Sequence, residues 1–120
     1  MDAAGVGTRY HNAWTSGDMA SARLCLADDL DFQGSIDIFH RADDFVAALT
    51  LFQSMLRKVD LKQSFFSETG AALLYECDTM SPAGMIRPAE FFTVGGGRIT
   101  SIRLVFDATE LRKMMAAHAG

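Results

Sequence analysis

The sequence predicts an α+β fold in which helices come first and a curved antiparallel sheet follows. Two observations predict it. Apolar residues recur at helical spacing through the first half of the chain and at a spacing of two through the second. Two turn signals, Ser81-Pro82-Ala83-Gly84 and Gly95-Gly96-Gly97, cut that second half into a meander. A strongly bent sheet with helices across its mouth would enclose a cone with a pocket inside.

Val6, Tyr10, Ala13 and Trp14 fall at i, i+4, i+7 and i+8, one face of a helix that Ser16-Gly17 ends. Asp18 suits an N-cap, because its carboxylate can accept from backbone N–H groups left free in a first turn. A short second helix follows, with Met19, Ala22 and Leu26 on one side and Asp28-Asp29 at its close. Residues 30–33 read as a short strand broken by Gly34, and 36–40 as another extended piece. From about Ala42, Phe45, Leu49, Phe52 and Leu56 return to helical spacing. Asp43 or Asp44 lies in that first turn, where negative charge suits the helix dipole. The period then becomes two: Val59, Leu61, Gln63 and Phe65 alternate with Asp60, Lys62, Ser64 and Phe66. Residues 71–79, 85–94 and 98–106 complete four strands, and a polar helix over 108–118 finishes the chain.

The 120 residues fit a single domain, 1–120, large enough to bury roughly two-thirds of its unfolded surface. Apolar residues make up 49% and charged residues 22%, as in an ordinary globular protein. Nine Phe and seven Met supply large, soft side chains for a core or a greasy pocket. A net charge of −4 disfavours nonspecific nucleic-acid binding, which needs a basic face. No apolar run approaches the ~18 residues of a membrane-spanning helix. The first residues lack the basic-then-apolar pattern of a signal peptide, so a cytoplasmic location is expected. Cys25 and Cys77 lie far apart in apolar segments, which reads as two buried free thiols rather than a metal or redox pair. His11 and His40 are isolated, with no metal-ligand spacing, so no metal or cofactor is expected.

The run YHNAWTSGDMASARLCLADDLDFQG resembles the opening of the ketosteroid isomerase-like and SnoaL-like polyketide cyclase families. Those begin with an aromatic helix, a turn of the Asn/Ser-Gly-Asp kind, a short helix ending in an acidic pair, and a first strand. The run RPAEFFTVGGGRITSIRLVFDATEL resembles their last two strands. There a Gly-rich turn precedes Arg/Lys-Ile, and the strand ends in Phe-Asp. The likeness runs in order through nearly the whole chain. It implies the nuclear-transport-factor-2-like superfamily and its cystatin-like roll: a cone-shaped, curved antiparallel sheet whose N-terminal helices cover a pocket.

Glu90 is the sharpest candidate. Its strand face reads Ile86, Pro88, Glu90, Phe92, Val94, a single carboxylate in an apolar row. An unpaired buried carboxylate is costly, so it is neutralised, paired or used. The resemblance implies an acid of an oxyanion hole at Glu90, kept protonated by its apolar site, with Tyr10 as its hydroxyl partner. The alternative is a Glu paired to Arg87, Arg103 or a partner subunit. Asp107 resembles an acid near the end of the last strand in the cyclase-like families, where it can serve as general acid or base. Its alternative is a cap for the final helix. The isomerase-type base would align with Gly34, which has no side chain. Against limonene epoxide hydrolases, Asp78 aligns with one catalytic carboxylate, but Glu76 and Leu104 replace the Arg and Asp of that pattern.

Glu76 and Asp78 share one face of their strand, and Tyr75 and Cys77 the other. The register with Tyr75 and Cys77 inward is the cheaper one, because the opposite choice would crowd three carboxylates into the cavity. Trp14, Phe32, Phe45, Leu49, Phe52, Phe92, Ile102 and Leu104 are expected to form the ligand-binding wall, with Tyr10 and Trp14 at the cavity mouth. The expected function is small-molecule binding by an isomerase/cyclase-like enzyme using acid–base chemistry on an apolar ligand. The alternative is a non-catalytic ligand-binding or dimerisation module. A homodimer through the exposed sheet face, carrying Phe91, Val105 and Phe66, is expected as well.

Overall fold

The structure, a computed structural model, describes residues 2–119, with side chains as far as Ala116. Helix α1 (Ala3–Thr15) is capped by Asp2, whose carboxylate accepts from Gly5 N at 2.8 Å. It buries Ala3, Val6, Gly7, Tyr10, His11, Ala13 and Trp14. Gly17, at φ +86°, turns the chain out of it. Asp18 then caps α2 (Met19–Leu24) by accepting from Ser21 N at 3.1 Å. The acidic pair Asp28-Asp29 does not close α2. It lies inside β1 (Leu26–Gln33), which is longer than its expected four residues. Helix α3 (Ala42–Ser54) buries Ala42, Phe45 and Leu49, as its spacing predicts.

The sheet has seven strands and stays open. Besides β1 it contains β2 (Ile38–Phe39), β3 (Leu56–Phe66), β4 (Gly70–Thr79), β5 (Met85–Ile86), β6 (Ala89–Gly95) and β7 (Arg98–Val105). Their order is β2-β1-β7-β6-β4-β3, with β5 on β4. The expected third strand is split in two at Arg87-Pro88, since proline has no N–H for the ladder. Gly96 and Gly97, at φ +61° and +77°, form the two-residue turn between β6 and β7. The meander is antiparallel as expected. At one junction the expectation is corrected: β1 lies parallel to β7, so the sheet is mixed. The final helix, α4 (Thr109–Ala119), follows β7 directly. No helix among the described residues is long and apolar enough to cross a membrane.

Register decides which side chains meet the helices. In β4, Ala71, Leu73, Tyr75, Cys77 and Thr79 are buried under them, and Glu76 and Asp78 point the other way. The bulge that leaves Thr100 unpaired between β6 and β7 lets Ile99 and Ile102 both face inward. A second bulge, between Leu61 and Gln63, flips the far half of β3. Phe65, opposite Ala72 and Phe91, therefore joins the outer face; Phe66, opposite Ala71, does not. The outer face carries Phe65, Leu74, Phe91 and Val105, each at least 40% exposed.

Candidate functional site

An apolar cavity of about 110 Å³ lies beneath α3, between the β1–β2 loop, the sheet and the first turn of α4. One water needs only ~15 Å³ by this measure, so the space suits a small molecule. Phe45, Ala48, Leu49 and Phe52 from α3 form one wall. Phe32, Tyr75, Ile86, Pro88, Leu104 and Phe106 form the other, and Leu111 closes the α4 side. Phe32 and Phe45 stack with ring centroids 4.5 Å apart and Phe39 against both, which fixes the wall.

Of the expected ligand wall, Phe32, Phe45, Leu49, Phe52 and Leu104 line this cavity. Trp14, Phe92 and Ile102 do not; they are buried in the closed core beneath α1. Tyr10 and Trp14 are likewise no cavity mouth, at 0% and 1% exposure. The cause is local. At Gly7 the helix has no side chain, and a Cβ there would come within 3.3 Å of Phe92 Cδ2. This lets α1 settle directly onto β6, and Tyr10 meets Phe92 edge-on at 5.5 Å. His11, buried, is wedged between the rings of Trp14 and Tyr75.

Glu90 is 3% exposed, set between Leu73 and Leu104 on the neighbouring strands. Neither expected arginine neutralises it: Arg87 pairs with Glu76 at 2.8 Å and Arg103 with Asp31 at 2.8 Å. Its partner is the Tyr75 hydroxyl, which donates to Oε1 at 3.2 Å. Burial pushes the Glu90 carboxyl up to about 8, against the smaller opposing pull of that hydrogen bond. Near neutral pH the group is therefore mostly protonated. The Tyr10 hydroxyl makes no hydrogen bond among the described residues, so Tyr75 rather than Tyr10 is the hydroxyl joined to the acid. Tyr10 and Tyr75 are held well above the usual phenol range, first by burial and then by the nearby Glu90 charge. The same two causes push Cys77 up to about 12. Both cysteines are buried free thiols, as expected. These neighbours all keep their protons, so the cluster is a set of neutral donors.

Tyr75 is the residue that sequence reasoning left out of the site. The inward register of β4 pointed to it, but nothing in the sequence showed that its ring would stand between Glu90 and the cavity. Asp107 is placed elsewhere. It is exposed, accepts from Thr109 N and Oγ1 at 3.1 and 2.7 Å, and starts α4; those bonds lower its carboxyl. It borders a second, more open hollow of about 450 Å³ with Lys62, Glu76 and Arg87, and does not line the cavity beneath α3. Gly34 does line the cavity, but a Cβ there would meet the Phe32 ring at 3.0 Å. An isomerase-type base is absent at this position, and a side chain there would crowd the Phe32 ring.

No protein-family model and no curated protein sequence matches the chain. Solved structures do. A protein from Kribbella flavida DSM 17836 is 30% identical over 98% of this chain and 97% of its own, with a TM-score of 0.88. A nuclear-transport-factor-2-like protein from Cytophaga hutchinsonii ATCC 33406 is 16% identical over 88% of this chain and 90% of its own, with a TM-score of 0.76. An M. tuberculosis epoxide hydrolase of the LEH-like type is 18% identical over 95% of this chain and 92% of its own, with a TM-score of 0.71. Ketosteroid isomerase-like and polyketide cyclase-like proteins share the fold at 10% and 13% identity. The chain therefore shares the fold of nuclear-transport-factor-2-like proteins, and by its sequence belongs to one family with the Kribbella flavida protein.

Proposed function

We propose that the chain binds a small apolar molecule in the cavity beneath α3 and acts on it by isomerase/cyclase-like acid–base chemistry. The observation that carries this reading is the Tyr75–Glu90 pair. A hydroxyl on the cavity wall is joined to a carboxyl that burial keeps neutral. A protonated Glu90 can give its hydrogen into that contact, which frees the Tyr75 hydroxyl to donate toward a ligand oxygen. Two neutral donors in an apolar site would favour negative charge developing on that oxygen, as in an enolate. Tyr75 then takes the place that the family resemblance gave to Tyr10.

The experiment has two arms. Single-ring cyclic ketones should raise the melting temperature of the wild type, and Ala48→Phe, which fills the cavity, should abolish the shift. Solvent-deuterium exchange at the α-carbons of the bound ketone, with solvent water or hydroxide taking the α-proton while the donor pair holds the enolate oxygen, should be faster than in buffer, and should be lost in Tyr75→Phe and Glu90→Gln. Binding with no exchange would leave the non-catalytic ligand-binding module as the function. That second reading has its own support in Gly34, which offers no side chain where an isomerase-type base would align.

The assembly proposed is a homodimer through the outer sheet face. Phe65, Leu74, Phe91 and Val105 form an exposed apolar strip there, and contiguous strips of this kind are rarely left bare on a monomer. Arg103 beside Asp31 and Arg87 beside Glu76 edge the strip with charge already paired inside one chain.

A further inference from the structure

Apart from the Tyr75 hydroxyl, the polar side chains of the cavity wall come from one segment. The β1–β2 loop brings Ser35 and Asp37 to it, and Asp37 is the one carboxylate among the described lining residues. The loop is tied down on three sides. Gly34 N donates to Asp37 O at 2.8 Å, Phe106 N donates to Ser35 Oγ at 3.1 Å, and Arg112 Nη2 donates to Ser35 O at 2.6 Å. These bonds use the backbone and the Ser35 hydroxyl. The Asp37 carboxylate itself accepts no hydrogen bond and joins no ion pair among the described residues. Asp31 is engaged by Arg103, Asp28 and Asp43 by Arg23, Glu76 by Arg87 and Asp107 by Thr109, whereas Asp29, Asp44 and Asp78, without such a partner among the described residues, do not line the cavity.

An unpaired carboxylate on a loop whose backbone is held at the wall sets what a ligand must carry. An anion placed there meets like charge, and a purely apolar ligand strips some water from a carboxylate without replacing it. A ligand with an apolar body and one donor replaces that water with a charge-assisted hydrogen bond. We propose that Asp37 is the specificity-determining residue of this cavity, selecting apolar ligands that carry a hydrogen-bond donor, an alcohol or an ammonium, and rejecting carboxylates. This rests on the cavity being the binding site. Because Asp37 is half-buried, water competes for it, and the preference is about tenfold rather than the hundredfold of a dry site.

Four one-ring probes test it: toluene, benzyl alcohol, benzylamine and benzoate, titrated by ligand-observed NMR against the whole protein. In the wild type, the alcohol and the amine should each bind about tenfold tighter than toluene, and benzoate weaker than toluene. Asp37→Asn keeps an acceptor but no charge; the amine should lose its advantage and the alcohol should keep most of its own. Asp37→Ala should remove both advantages and let toluene bind at least as tightly as in the wild type. The side chain supports no intramolecular bond, so both variants should melt as the wild type does. Toluene binding with no gain for alcohol or amine, or a gain that survives Asp37→Ala, overturns the assignment of Asp37 alone. Failure of all four probes overturns the cavity reading and this assignment with it.

Discussion

Glu90→Gln separates a buried neutral acid from a buried ion. The unfolded chain titrates this group near 4.5 and the folded chain at about 8. Between those values the folded state holds a proton that the unfolded state has lost. Stability must then fall as pH rises, by about 1.4 kcal/mol per unit. From pH 5 to 7 the loss is about 2–3 kcal/mol, and over the whole window it approaches ~5 kcal/mol, levelling off once the folded group ionises. Gln fills the same space and still accepts from the Tyr75 hydroxyl, but does not titrate. His11 works in the opposite direction, since burial lowers its folded pKa and the unfolded chain takes the proton first below about 6.5. The wild-type curve alone therefore mixes two slopes. The difference between wild type and Glu90→Gln isolates Glu90. Urea denaturation of both proteins at pH 5, 6, 7 and 8 should show the variant gaining on the wild type with each step, and exceeding it at pH 8. Parallel curves would mean that Glu90 is ionised and compensated throughout, and the donor-pair mechanism would fall with it.

Tyr75→Phe removes the one hydrogen bond seen on Glu90. It should cost roughly 1–3 kcal/mol in urea at pH 6, and should drive the Glu90 pKa still higher in a carboxyl ¹³C NMR titration, because that bond is what pulls it down. Phe45→Ala removes a ring that is 4% exposed and stacked on Phe32; a loss of about 3–5 kcal/mol is expected by chemical denaturation. Phe91→Lys places a charge at the centre of the outer apolar strip. It should leave the melting temperature of the monomer fold within about 1 kcal/mol of stability, but convert a dimer to a monomer in sedimentation at tens of micromolar, on the order of the concentrations where weak dimers still form.

The helices and the inward strand faces were legible because each rests on a local period. Val6, Tyr10, Ala13 and Trp14 lie on one buried stripe of α1, and Phe45 and Leu49 on that of α3, at the spacing the sequence shows. The inward choice of Tyr75 and Cys77 was legible for an energetic reason: it keeps Glu76 and Asp78 in water. What stayed illegible depends on contacts between distant segments. The parallel pairing of β1 with β7 leaves no mark on either strand. The bulge after Leu61 reverses Phe65 and Phe66, and no Gly or Pro announces it. Arg87 and Arg103 looked like possible partners for Glu90 from their nearness in sequence. They lie on the opposite face of the sheet, where Glu76 and Asp31 hold them.

That the expected pocket is closed on its α1 side follows from one glycine and the residues around it. The expected wall joined Trp14, Phe92 and Ile102 to Phe32, Phe45, Leu49, Phe52 and Leu104, with Tyr10 and Trp14 at the mouth; only the second group lines the cavity. A helix stands off a sheet by the length of the side chains between them, and at Gly7 that length is zero. The gap closes there, Phe92 fills the remainder, and three aromatic side chains of the α1 face become core. Helix α3 presents Phe45, Leu49 and Phe52 instead, with Ala48 between them, so it is held away from the sheet by its large residues and leaves room at its small one. The buried acid did not move with the space. Glu90 stays at its place on β6, and only the side chain standing between it and the open volume differs. A hydroxyl from α1 would have served a cavity beneath α1; with the cavity beneath α3, the hydroxyl on its wall has to come from the sheet, and at the crossing of β4 with β6 that residue is Tyr75.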